Sequence, residues 1–512
     1  MNGAESLVHT LVKSGIEVCF ANPGTSEMHF VAALDRIPGL RCIPGMQENV
    51  VTGMADGYFR IARKPAVTLL HCGPGLANGL ANLHNARRAH SGIVNIVGDH
   101  ALYHAPFDPP LAADTASFAR GVSHWVRTAQ EAASVGRDAA VAVQAARTAP
   151  GQIATLILPA NTAWTEGGVV AEALPAAGQD QIDPHAIEVA AKILRDGKNV
   201  LLLLGNDGLR EGAQIQAGRI QAATGCRVMA QSINGLQQRG AGRLALDRVP
   251  YGAAAAIEAL KGVEHIILVG ARGPVGFFAY PGMPSLHYPA DAMLHTLARL
   301  EQDAEAALAE LADAIGAPKA VASPSVPRPA VPKGLPNSEA FGQMLAAVMP
   351  EGAIVTDESV SFGMQLFAKS HDAPAHDWLM VTGGAIGYGL PCAAGAAVAG
   401  KGRRVIALQA DGSGMYTPQA LWTMAREKLP VTTVVLANRK YQILLGEYAG
   451  VGANPGRTAL DMLDIGNPDL DWVKLAGGMG VEAAKCATLE ACAALMQASF
   501  KREGPFLIEL EI

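Results

Sequence analysis

Short apolar runs rich in Val, Ile and Leu, each closed by turn residues, alternate along this chain with longer stretches of helical periodicity. Near the start the runs fall at Val18 to Ala21, Ala66 to His71, Ile93 to Val97 and Thr155 to Leu158, which predicts a first α/β domain over residues 1–165. A loose stretch from Thr165 to Asp183 follows. Ala186 to Asp196 then reads as a helix feeding the strand Asn199 to Leu204, and runs around Val228 and at His265 to Val269 continue a middle domain over residues 183–316. Ala317 to Asn337 carries six prolines among small and polar residues and reads as an extended linker. Beyond it, Ser338 to Met349 reads as a helix and Ala353 to Thr356 as a strand, opening a third domain over residues 338–512. The expectation is an α/β fold of three doubly wound parallel-sheet domains.

Composition narrows the function classes. The 512 residues are 50% hydrophobic and 17% charged, enough to bury the cores of about three ordinary domains. Net charge is −6, with Lys and Arg scattered, which argues against nucleic-acid or anionic-membrane partners and leaves small anionic substrates open. The seven cysteines show no CxxC spacing and are odd in number, so neither a zinc framework nor a secreted disulfide scaffold is suggested. The N-terminal stretch is amphipathic without a signal-peptide core, and no 18-residue uncharged apolar run appears. A cytoplasmic protein is expected.

Within the third domain, Arg404 to Gln409 and Val431 to Ala437 read as buried parallel strands, with Pro418 to Lys428 as the helix between them. Such a crossover delivers both strand ends to one edge of the sheet, placing Asp411 and Asn438 side by side although 27 positions apart. Asp411 offers a carboxylate oxygen, Asn438 an amide oxygen and Lys440 a backbone carbonyl: hard donors suited to magnesium, which takes roughly six oxygens and keeps ligand phosphates among them. Gly412 and Ser413 allow close approach of backbone amides to an anion. An isolated Asp-Gly is more often an ordinary βα turn with an Asp cap, and the paired Asn argues against that reading.

This segment resembles the cofactor motif of the thiamine-diphosphate-dependent 2-oxo-acid enzymes, the superfamily of acetolactate synthase, benzoylformate decarboxylase and pyruvate decarboxylase. That motif is GDG, some two dozen residues, then NN; here Ala410 and Ala437 replace the first Gly and the first Asn, while Asp411 and Asn438 are kept. The domain order resembles the superfamily's pyrimidine-binding, central and diphosphate-binding plan. The resemblance implies thiamine diphosphate and Mg2+ as cofactors, a small 2-oxo-acid substrate, and at least a homodimer, often a homotetramer, with each site shared between subunits.

It also implies roles for single residues. Glu48, in GMQENVVTGMADGYFR, matches the glutamate that contacts the aminopyrimidine ring, although alone it would pass as a helix-start acid favoured by the macrodipole. Ile386, in TGGAIGYGLP, matches the bulky residue that keeps the cofactor bent, and Gly384 would offer its carbonyl to the amino group. Ser359 and Ser361 stand where the superfamily places diphosphate contacts. Thr25, in NPGTSE, matches a hydroxyl residue that meets substrate carboxylate, His71 an active-site histidine, and Asn78 a neighbour of the cofactor.

Phe277 and Phe278 are expected near the pocket from a central-domain loop. No histidine occurs between His265 and His287, where benzoylformate decarboxylase has its second one, and no His-His pair occurs anywhere in the chain. Together with the Arg426 to Val431 passage, this tilts the expectation towards an acetolactate synthase-like carboligase acting on pyruvate. A non-oxidative decarboxylase of the benzoylformate type is the alternative. FAD is not expected, since the central-domain segments of the flavin-dependent synthases are not found. A nucleotide-binding oxidoreductase is disfavoured because no GxGxxG follows the first strand.

Overall fold

The computed structural model describes residues 1–321 and 327–512. Three sheets follow one another along the chain. The first has six parallel strands in the order Arg41–Pro44, Val18–Asn22, Ala66–Leu70, Ile93–Asp99, Ile153–Pro159, Trp125–Thr128. Successive strand residues point to opposite faces. Phe20, Leu70 and Val97 accordingly enter one apolar layer, and Cys19, Leu69 and Ile96 enter another. Burial on both faces explains why these strands read as continuous apolar runs.

The middle sheet is parallel and four-stranded, in the order Met293–Ala298, His265–Val269, Val200–Leu204, Arg227–Ala230, and it too lies between two apolar layers. The third runs Glu482–Cys486, Phe506–Glu511, Val431–Ala437, Val405–Ala410, Ile354–Glu358, His376–Met380, Gln237–Arg239. Its last strand corrects the expectation of purely parallel sheets. Gln237–Arg239 comes from the middle of the chain and pairs antiparallel with His376–Met380. A Gln-Gln-Arg run has no apolar periodicity to announce a strand. It is held by the buried Arg239, whose guanidinium donates to the Ser370 hydroxyl and to the carbonyls of Leu246 and Phe367.

The helix Glu48–Ala62 packs on Gly389–Ala399, joining the first and third sheets around one shared core. Glycine makes this crossing close. A Cβ on Gly57 would lie 2.2 Å from the Cys392 carbonyl oxygen, and one on Gly395 would lie 1.9 Å from that of Met54. Of the expected linker, residues 322–326 lie outside the described residues, and the remainder carries no helix or strand. Among the described residues no helix is long and apolar enough to cross a membrane.

Candidate active site

In a doubly wound sheet, ligands bind beyond the carboxyl ends of the strands where the winding reverses. In the third sheet that point lies between Ile354–Glu358 and Val405–Ala410. A cavity opens there, lined by Ser359, Ser361, Ile386, Asp411, Gly412, Ser413, Asn438 and Lys440 among others. Asp411 is buried at the head of a short helix, Asp411–Gly414; the expected helix Pro418 to Lys428 forms only over Ala420–Arg426. One Asp411 carboxylate oxygen accepts from the Gly412 amide at 2.8 Å and the other from the Arg439 amide at 2.6 Å. Burial raises the Asp411 carboxyl above its ordinary range, and these backbone donors pull it back.

Arg439 reaches Asp411 from a left-handed turn, φ +59°, pinned by ion pairs to Asp469 and Glu511. The Asn438 side-chain oxygen accepts from the Lys440 amide at 3.1 Å. Lys440 lies opposite Asp464 in an antiparallel bridge whose hydrogen bonds are made by Arg439 and Tyr441, so the bridge does not use the Lys440 carbonyl. On the facing wall Ser361 is half-buried, whereas the Ser359 hydroxyl donates to Asp357. Between them Val360 adopts φ +51°, a strained conformation for a β-branched residue and one that clusters at ligand sites.

Ile386 reaches the cavity from the Gly383–Gly387 loop, which is braced from two sides. Asn85, on the helix Cys72–Arg88, accepts from the amides of Gly383 and Ala385 and donates to the Ala385 carbonyl, while Asn82 donates to the Gly387 carbonyl. On the other side the fully buried Glu358 accepts from the amides of Gly387, Tyr388 and Gly389 and from Gln409. Burial pushes its carboxyl up to about 7 against those donors. Gly384 needs its φ of +74°, and Phe277 covers it: a Cβ there would lie 2.5 Å from the Phe277 ring. Tyr251 and Phe278 flank Phe277, with ring centroids at 5.4 and 4.9 Å.

The first sheet carries a second group of candidate residues at its own reversal point, between Val18–Asn22 and Ala66–Leu70. Here His71 caps the helix Cys72–Arg88, and its Nδ1 lies 2.8 Å from the Glu27 carboxylate. A carboxylate only accepts, so Nδ1 donates, and in the neutral ring Nε2 is left as an acceptor. Glu27 also accepts from the Gly24 amide at 2.7 Å. Its 1% exposure depends on Gly98, where a Cβ would lie 1.5 Å from a Glu27 carboxylate oxygen. Ser26 stands beside His71 and Cys72, while Thr25 is exposed. Burial pushes the Cys72 thiol up to about 11. Glu48 opens its helix with its carboxylate accepting from Asn78 at 3.2 Å.

Among the described residues, the cavity of the third sheet is lined by none from the first. Glu48, Asn78, His71 and Thr25 lie with the first sheet, and the residues around Asp411 with the third. Glu27, Asn82, Asn85 and Glu358 escaped the sequence reading. Glu27 and Glu358 sit inside the very motifs that pointed to Thr25 and Ser359. The only signal for the two asparagines is a polar spacing of three on one helix.

The chain belongs to the thiamine pyrophosphate enzyme family, and it is a thiamine-diphosphate-dependent enzyme. The N-terminal TPP binding domain of these enzymes matches residues 1–127, and the C-terminal TPP binding domain matches residues 361–510. An acetolactate synthase large subunit-like protein, IlvX of Mycobacterium tuberculosis, is 49% identical over 100% of this chain and 99% of its own length. Benzoylformate decarboxylase of Pseudomonas aeruginosa is 28% identical over 98% of this chain and 97% of its own. Among solved structures, a thiamine diphosphate-dependent 4-hydroxybenzoylformate decarboxylase of Rhodococcus jostii shares the fold with a TM-score of 0.84 at 24% identity, covering 99% of this chain and 98% of that one. The residues present fit the cofactor. Buried oxygen donors converge at the Asp411 cavity, and Gly412 permits backbone approach beside them.

Proposed function

We propose that this enzyme uses thiamine diphosphate with Mg2+ to decarboxylate a 2-oxo acid, pyruvate in the first instance, and joins the retained acyl unit to a second 2-oxo acid. The observation that carries this reading is the aromatic wall at Gly384. Phe277, flanked by Tyr251 and Phe278, packs on the loop that carries Ile386 and offers no acid there. An acyl unit that meets no carboxyl or imidazole on this wall is left to a second carbonyl. The name of the relative at 49% identity supports the same reading.

When bound, thiamine diphosphate supplies the electron sink for carbon–carbon cleavage. Asp411, Asn438 and the Lys440 carbonyl would hold the metal, with Ser361, Gly412 and Ser413 about the diphosphate and Ile386 and Gly384 about the rings. Glu48, steadied by Asn78, takes and returns a proton at the pyrimidine. His71, fixed by Glu27, presents Nε2 as an acceptor, and Thr25 contributes a hydroxyl for substrate carboxylate. Because, among the described residues, one chain lines its Asp411 cavity with none from the first sheet, each complete site would combine two subunits of a homodimer or of a homotetramer built from such pairs.

A second reading, aldehyde release in the manner of a benzoylformate decarboxylase, is favoured by the turn that sets Glu27 on His71 and by the full-length likeness to that enzyme. Incubating the holoenzyme with pyruvate or benzoylformate and identifying products by mass separates the two. Acetolactate supports ligation; benzaldehyde without any ligation product overturns it.

A further inference from the structure

Glu27, His71 and Cys72 place a carboxylate oxygen, an imidazole nitrogen and a thiol sulfur all within 4.8 Å of one another. The Ser26 hydroxyl adjoins two of them, 3.0 Å from the Cys72 sulfur and 3.4 Å from His71 Nδ1. Cys72 is turned to this point by a left-handed backbone, φ +53°, at the junction of strand and helix. Glu27 and Cys72 are each 1% exposed, and the second Glu27 oxygen is buried without a hydrogen-bond partner. An under-compensated carboxylate in a low-dielectric pocket attracts a cation, and a mixed nitrogen, oxygen and sulfur set selects a borderline or soft one.

We propose that Glu27, His71 and Cys72 form a binding site for a thiophilic divalent cation of the zinc or cadmium class, distinct from the Mg2+ site at Asp411. Charge balances. The thiol gives its proton to solvent as the sulfur–metal bond forms, so thiolate and carboxylate together neutralise the dication, and water or Ser26 completes four-coordination. The imidazole binds through Nδ1, and its proton moves to Nε2. The ion thereby turns His71 Nε2 from an acceptor into a donor. Magnesium, which prefers oxygen, does not compete. Binding stands on the geometry alone; the effect on turnover rests on the role proposed for His71.

Cadmium titration of the full-length holoenzyme, followed by the ultraviolet cadmium–thiolate charge-transfer band, tests this. One ion per chain is expected. The band is lost in Cys72→Ser and in Glu27→Gln, and it is retained in Cys42→Ser, which removes an exposed thiol. A band that persists in Cys72→Ser, or none in the wild type, overturns the site. Loss of wild-type turnover on zinc addition, with Cys72→Ser resistant, extends the site to inhibition. A cadmium band that depends on Cys72 but leaves wild-type turnover unchanged keeps the site and refutes the role of His71 in the reaction.

Discussion

The proton-transfer role proposed for Glu48 would rest on a carboxylate with one oxygen held by Asn78. In Glu48→Gln the amide oxygen still accepts from Asn78 but exchanges no proton, so kcat is expected to fall about 100-fold or more while the unfolding midpoint stays put. Steady-state kinetics at saturating cofactor check this, and near-wild-type turnover would remove Glu48 from the mechanism. Asp411→Ala takes away a proposed metal ligand instead. Half-maximal activity should then need about 10-fold more Mg2+ or beyond, since even indirect ligand losses cost that much. Both residues are legible in the sequence because a motif surrounds them. Glu27 and Glu358 were not, because their partners, His71 and the Gly387–Gly389 amides, lie 44 and about 30 positions away and no local pattern encodes a contact at that range.

At the scale of elements, the helices Glu48–Ala62 and Gly389–Ala399 approach so closely that backbone fills the space beside Gly57. Backbone cannot yield as a side chain does, so Gly57→Leu should cost about 1–3 kcal/mol or more in urea unfolding. The strand His376–Met380 carries a different liability. Burial lowers His376 to about 4, with its Nδ1 on the Pro374 carbonyl and neighbouring Arg239 and Arg243 adding to the effect of burial. Its folded value lies below the ordinary 6.5. The neutral ring therefore contributes stability fully above pH 6.5, and this is lost as pH falls from 6.5 through 4. The loss is about 3 kcal/mol, and His376→Asn should shrink the acid limb of urea-measured stability by that order.

Strands with unbroken apolar runs, such as Val431–Ala437 and His265–Val269, were readable to the residue. Arg41–Pro44, Trp125–Thr128, Met293–Ala298 and Glu482–Cys486 were not. They lie at sheet edges, where one flank meets solvent or loops and polar residues interrupt the apolar signal.

For the whole molecule, the proposed sharing of sites between subunits predicts complementation. Assayed at an Mg2+ concentration too low for Asp411→Ala, the Glu48→Gln and Asp411→Ala chains are each nearly inactive alone, but random mixing into dimers gives half hybrids, each with one intact site. Co-refolded or co-expressed chains should recover about a quarter of wild-type activity. No recovery would place both halves of each site within one chain. The succession of three sheets was legible in the alternation of runs, whereas the antiparallel strand Gln237–Arg239, which ties the chain's middle to the third sheet, was not. Its pairing is decided by Arg239 contacts more than 120 positions away.

The Gly383–Gly387 loop has a consequence for how this protein can change. Asn82 and Asn85 hold it from the first sheet and Glu358 from the third, so its shape is a joint property of two regions some 300 positions apart. A chimera that took its C-terminal third from a relative, and kept this N-terminal third, would inherit half a brace. Drift at 82 or 85 should therefore be answered by drift at 383–387, and the two regions should descend as a single unit of inheritance.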